Sequence, residues 1–214
     1  MRLLDPLLAL VAPPFCWSCG EGAVAGHPLC LRCRSRLRRL ERTTVALTGV
    51  DAWAPLAYEG PARAVVRGLK FRGAARLAGP MAAEIVASAP DGMLTPAATL
   101  VPVPLHPRRA RARGYNQAER LATAIGRRAG MRVDDCLRGG GAAGGGLGGG
   151  GRAVGLRALD GAVELRPGWR PPNRAVLVDD VATTGATLAA CALALEAHGC
   201  AAVVAVSYAM TPGR

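Results

Sequence analysis

The sequence predicts an α/β protein, a mostly parallel sheet flanked by helices with a small N-terminal cysteine lobe. Three observations predict it. Apolar runs of strand length alternate with helical patterns from residue 50 to residue 208. The run 175–178, Ala-Val-Leu-Val, is apolar without alternation, as a strand buried on both faces is. Two Cys-x2-Cys pairs stand ahead of these elements. A chain of 214 residues, 50% of them apolar, is globular and long enough for one domain with a buried core plus an appendage.

The elements follow in order. Residues 1–45 hold four of the seven cysteines and a basic run, and are read as the lobe; residues 46–214 are read as the main domain. A strand is expected over 50–58. Helical patterns cover 61–70 and 74–89, and Pro61 suits a first turn, where a missing N–H costs little. A short apolar strand at 99–103 precedes a helix over about 116–129, with Leu121, Ile125 and Ala129 on one face. Residues 139–151 are Gly-rich and low in complexity. The last unit is strand (175–178), loop (179–184), helix (185–198) and strand (201–208), with Gly199 just beyond the helix as its C′ residue.

The opening segment has a short apolar stretch, but Asp5 and Pro6 break it and Pro13 and Pro14 end it. It is far short of the ~20 apolar residues of a spanning helix, so it is read as a packed amphipathic helix, with no membrane insertion. The expected compartment is the cytoplasm, which keeps thiols reduced. A net charge of +12 suits an anionic partner. Of 27 basic residues only Lys70 is lysine, a bias that makes some arginines surface filler.

The strand–loop–helix unit carries the chemistry. Val-Leu-Val runs into Asp179 and Asp180, then into Ala182, Thr183, Thr184, Gly185, Ala186 and Thr187, where a helix begins. A helix N-terminus offers unpaired N–H groups and a positive dipole end, which together hold a phosphate. Gly185 permits close backbone approach, and three threonines add hydroxyls. Two carboxylates beside a phosphate site repel it unless they accept hydrogen bonds from vicinal ribose hydroxyls or share a magnesium ion with a diphosphate. The plain alternative is a strand end with a capping Thr and solvated acids. The loop is not a Walker A motif, because no Gly-Lys-Ser/Thr follows.

Residues 101–122 start at a strand end and run into a helix. Between Val101 and Arg132 there are eight arginines against one acid, Glu119. Arg108, Arg109, Arg111 and Arg113 can neutralise a diphosphate with planar forks, while Pro102, Pro104 and Pro107 stiffen the approach. A solvated basic loop, or one contacting nucleic acid, is the other reading. Lys70 ends a helix, where a cation gains about 0.3–1 kcal/mol from the dipole; its alternative is a contact to the diphosphate or to an acceptor.

Cys16, Cys19, Cys30 and Cys33 form two knuckles with ten residues between them. Four thiolates in this pattern are the structural zinc arrangement; disulfides and iron are the rivals, and His27 is a spare ligand. A lobe this small depends on the metal for folding. Cys136, Cys191 and Cys200 are isolated and read as small core residues. His106 lies beside the Arg loop, and His198 at a helix C-terminus is a dipole partner.

Three segments together resemble the ComF/GntX family: VLVDDVATTGATL at 176–188, RGYNQAERLA at 113–122 and YEGPARAVVRGLKFRG at 58–73. The first also resembles the PRPP-binding signature of type I phosphoribosyltransferases. The resemblance implies a type I phosphoribosyltransferase-like fold behind an N-terminal zinc ribbon. It implies that Asp179 and Asp180 hold the ribose 2′- and 3′-hydroxyls and that 182–187 wrap the 5′-phosphate. Arg108, Arg109, Arg113 and Lys70 would face the diphosphate, with Mg2+ accompanying PRPP and Zn2+ in the lobe. The family is associated with DNA uptake, so single-stranded DNA is a second expected partner, met by Arg32, Arg34, Arg36, Arg38, Arg39 and Arg42, several of them on one helical face. The chain departs from the family pattern in 139–165, read as a flap: Arg152 matches, but Gly155 stands for Asn, Val163 for Phe, and a glutamine is lost. That departure bears on turnover and acceptor choice more than on PRPP binding.

Overall fold

The computed structural model describes residues 15–70, 74–140 and 162–212. The opening helix, Arg152, Gly155 and most of the Gly-rich flap lie outside the described residues. The chain folds as a mixed, mostly parallel sheet with helices on both faces. Its strands are β1 (Val45–Leu47), β2 (Val50–Trp53), β3 (Leu56–Ala57), β4 (Thr99–Pro102), β5 (Arg132–Val133), β6 (Leu137–Gly139), β7 (Val163–Leu165), β8 (Arg174–Ala182) and β9 (Ala202–Met210). Its helices are α1 (Leu31–Ser35), α2 (Gly60–Leu69), α3 (Ala78–Ser88), α4 (Pro107–Arg113), α5 (Gln117–Ala129) and α6 (Ala186–Glu196).

The main sheet runs β1-β2-β9-β8-β4-β5, with β3 also on β9; only β1 is antiparallel to its neighbour. β6 and β7 form a separate antiparallel pair. Alternation along β8 builds two cores. Val176 and Val178 pack with Val65, Leu69, Met81, Ile85, Leu121 and Ile125 from α2, α3 and α5. Ala175 and Leu177 pack with Leu188, Cys191 and Leu195 of α6 and with Leu137 and Val163. The helices bury what their spacing dictates: Ala62, Val65, Val66 and Leu69 in α2, and Ala118, Leu121, Ala122 and Ile125 in α5.

Several boundaries differ from the expected ones, for local reasons. The strand expected over 50–58 breaks at Ala54–Pro55, where Pro55 has no N–H to offer. Helix 74–89 opens as a 3-10 turn, Ala74–Leu77. The Arg-rich segment is helical from Pro107 to Arg113 and not a loop throughout. Gly199 ends α6 as expected: at φ 98° it lets its own N–H reach Glu196 O and the Cys200 N–H reach Leu195 O. His198 Nδ1 lies 2.8 Å from Ala194 O, at the carbonyl end of that helix. Cys136, Cys191 and Cys200 are all buried in the α6-side core.

The order of connections reverses between two neighbours. β4 leads through α5 to β5 on one side, and β8 leads through α6 to β9 on the other. In open α/β sheets ligands bind beyond the carboxyl ends of the strands at such a reversal.

Candidate functional site

The two motifs meet at that reversal. Pro102 is in register with Val178, and the Val103 N–H donates to Val178 O at 2.9 Å. β8 and β9 then run on together, Asp179 opposite Ser207 and Ala182 opposite Met210. Asp179 and Asp180 are therefore strand residues, where a loop was expected. The strand persists because β9 is long enough to pair with it on that side.

Being consecutive in a strand, the two acids leave the backbone on opposite sides, yet their carboxyl groups return to within hydrogen-bond reach of one another. Asp179 turns to the α6 side. With residues 181–188 it lines an open hollow of about 40 Å³ over the start of α6. Burial first, and then the charge of Asp180, push its carboxyl well above the usual carboxylate range. The Asp180 N–H, donating to Asp179 Oδ1 at 2.7 Å, offsets this only in part. Asp180 is buried on the other face, where Lys70 Nζ stands 3.2 Å from its Oδ2 as a charge contact not aligned as a hydrogen bond. Lys70 caps the C-terminus of α2, as the dipole reading expects, and its charge meets Asp180.

The hollow is built from backbone. Gly185 is the α6 N-cap in the left-handed region, at φ 81°. Thr184 Oγ1 accepts weakly from the Ala186 N–H at 3.4 Å, while Thr183 and Thr184 are exposed. The β1–β2 hairpin holds the loop from outside. Thr48 Oγ1 donates to Thr184 O at 2.7 Å. A Cβ on Gly185 would lie 2.6 Å from Leu47 Cβ and 2.9 Å from Leu47 O. The glycine thus admits Leu47, a neighbour the sequence reading missed; the only signal for it was Thr-Gly at 48–49, a weak hairpin turn pair.

The arginines are less converged. Arg109 and Arg111 are exposed on α4, and Arg113 Nη1 donates to the buried Gln117 Oε1 at 3.0 Å. None of these three lines the hollow; the side chain of Arg108 lies outside the described residues. Asn116 fixes this corner, since its Oδ1 accepts from the Ala118 N–H and its Nδ2 donates to Val103 O, both at 3.0 Å. Tyr115 donates to Leu69 O, tying the Arg-rich segment to the end of α2 beside Lys70.

The second constellation is the cysteine lobe. The Sγ atoms of Cys16, Cys19, Cys30 and Cys33 all lie within 4.8 Å of one another, with Cys19 and Cys30 3.8 Å apart. A tetrahedron of thiolates about 2.3 Å from zinc has edges of about 3.8 Å, so the four residues fit a metal such as zinc. Burial raises the Cys16 thiol, but the N–H groups of Cys30, Cys19 and Ser18 outweigh it and bring it down to about 6. Two of its neighbours resist ionising: burial raises Cys33, and at Cys19 the lowering by the Glu21 N–H is outweighed by desolvation and the neighbouring sulfurs, which push the thiol up to about 12. Such a cluster releases its protons to solvent when a cation binds the thiolates.

The lobe is seated on the body. Cys16, Leu29 and Cys33 join the core that contains Leu69 and Leu77. A Cβ on Gly68 would lie 2.6 Å from Trp17 Cε3, so the knuckle tryptophan packs directly against α2. The helical face expected to gather several lobe arginines is cut short, because α1 ends at Ser35 and holds only Arg32 and Arg34, with Arg36 as its C-cap. Arg38, Arg39 and Arg42 face Glu59, Glu84 and Asp91, and Arg32, Arg34 and Arg36 are exposed. Among the described residues no helix is long and apolar enough to cross a membrane. A scan against protein-family models and a search of the curated proteins return no match for this chain.

Proposed function

We propose that the chain is a type I phosphoribosyltransferase-like protein of the ComF/GntX kind, binding PRPP at the hollow over α6 and working in the cytoplasm. One observation carries this reading. The acid-bearing end of β8 and the arginine-bearing end of β4 are neighbours at the point where the strand order reverses. In this reading the N–H groups of 183–187 take the 5′-phosphate, and Asp179 accepts a ribose hydroxyl from the rim. Asp180 reaches the second hydroxyl when Lys70 releases it toward the diphosphate. Arg108, Arg109 and Arg113 close on the diphosphate from α4, where an anion draws them off the surface. Mg2+, when bound with PRPP, supplies further neutralisation of the diphosphate.

The reaction is displacement of diphosphate from ribose C1 by an acceptor nucleophile, through an oxocarbenium-like state. It rests on positioning and charge stabilisation, with no protein nucleophile. Zinc in the lobe, read as a ribbon, is structural: four cysteines leave no open position. Isothermal titration of the full chain with PRPP and Mg2+ tests the reading. Binding heat that disappears in Asp179→Asn/Asp180→Asn supports it; no heat, or heat unchanged by the double substitution, overturns it.

A second reading has its own observation. Exposed Phe15 lies against Trp17 with ring centroids 5.1 Å apart, on the lobe that exposes Arg32, Arg34 and Arg36. Aromatic faces among arginines suit single-stranded DNA. Affinity for a single-stranded oligonucleotide should then fall steeply with salt; a flat salt dependence removes it.

A further inference from the structure

Thr48 is the one described residue other than glycine with a positive φ, at 50°. For a β-branched side chain this region is strained, and such strain persists only where surrounding contacts over-determine it. The two-residue Thr48-Gly49 turn, closed by Leu47 opposite Val50, imposes that φ, and it places Thr48 Oγ1 to donate to Thr184 O at 2.7 Å, across 136 residues of sequence. In a trans peptide the carbonyl and the following N–H point opposite ways. With Thr184 O held on the hairpin, the Gly185 N–H points away from it, and Gly185 is part of the hollow's lining. Leu47 stands where a Cβ on Gly185 would be, so the hairpin packs directly against this glycine.

We infer that Thr48 is a positioning residue: it sets the Thr184–Gly185 peptide plane and so aims an N–H donor at the anion the hollow receives. The inference rests on the proposed binding of a ribose 5-phosphate group there. Without the Thr48 hydroxyl the peptide is free to rotate, and its carbonyl then competes for the position of the donor.

The test uses the full zinc-loaded chain and two readouts. Backbone amide exchange at Gly185 is followed without ligand, and titration with PRPP and Mg2+ measures affinity. Thr48→Val is expected to speed Gly185 exchange and weaken PRPP about tenfold, the loss of one hydrogen bond, while Thr48→Ser restores both. If Thr48→Val does not fold, Thr48→Gly, which removes hydroxyl and strain together, carries the same expectation. Unchanged exchange and affinity in the folded variant overturn the inference, as does a Thr48→Ser variant that fails to restore them. A wild-type chain that binds no PRPP while Gly185 exchange still answers to Thr48 overturns the proposed function and supports the clamp.

Discussion

The cysteine lobe and the β8–α6 hollow are built on opposite plans. In the lobe four sulfurs gather within 4.8 Å and face one another, and Trp17 seals the lobe to α2. In the hollow the exposed threonines face outward, and the loop is shaped by Thr48 and Leu47 of the β1–β2 hairpin, while Lys70 stands on the neighbouring Asp180. A closed site contributes its binding energy to the fold. An open site holds back, at a cost in stability, what it offers to a ligand. Asp179 shows that cost, as a carboxyl kept in a setting that disfavours its charge.

The comparison can be broken first at the lobe. Cys33→Ser takes away a buried ligand and should lower Tm by about 10 °C or more, with metal content falling from about one zinc per chain to near none. Calorimetry and metal analysis read this; an unchanged Tm with the metal gone would show that the lobe is not held by its ion. Asp179→Asn should act the other way. It keeps the oxygen that accepts from the Asp180 N–H and removes the unfavourable charge, so the ligand-free chain should melt about 2–4 °C higher at neutral pH while PRPP binds about tenfold more weakly or worse. The sign follows from the raised folded-state pKa. Wild-type stability is lost as pH rises from the unfolded value of about 3.9 toward the folded one, so the gain over wild type should vanish below about pH 4. A variant less stable than wild type at pH 7 would contradict the open-site account. Gly68→Ala sharpens the boundary between the regions with a smaller effect. Its methyl group pushes into Trp17 and should cost about 1–3 kcal/mol, with zinc content unchanged; loss of zinc instead would mean that seating and metal binding are one event.

How much was legible in advance follows the same divide. The cysteine cluster could be read because its four residues lie within 18 residues of sequence, from Cys16 to Cys33, and the chemistry of thiols leaves few alternatives. The unbroken apolar run of β8, the apolar faces of α2 and α5 and the glycine stop of α6 were legible for the same local reason. What stayed hidden depends on long-range pairing. β8 runs on to Ala182 because β9 pairs with it there, which makes strand residues of the two acids. Lys70 meets Asp180 across 110 residues, and Thr48 meets Thr184 across 136. The arginines of 108–113 were read for a diphosphate and those of the lobe for DNA, whereas the fold gives Arg38, Arg39 and Arg42 acidic partners and turns Arg113 to Gln117.

The central claim is that the hollow receives a ribose 5-phosphate group. A crystal of the full chain soaked with PRPP and magnesium tests it most directly. The account predicts phosphate density against the backbone of residues 183–187, with a ribose hydroxyl within hydrogen-bond distance of Asp179. An empty hollow at saturating ligand, or PRPP bound elsewhere, such as among Arg32, Arg34 and Arg36, would contradict it.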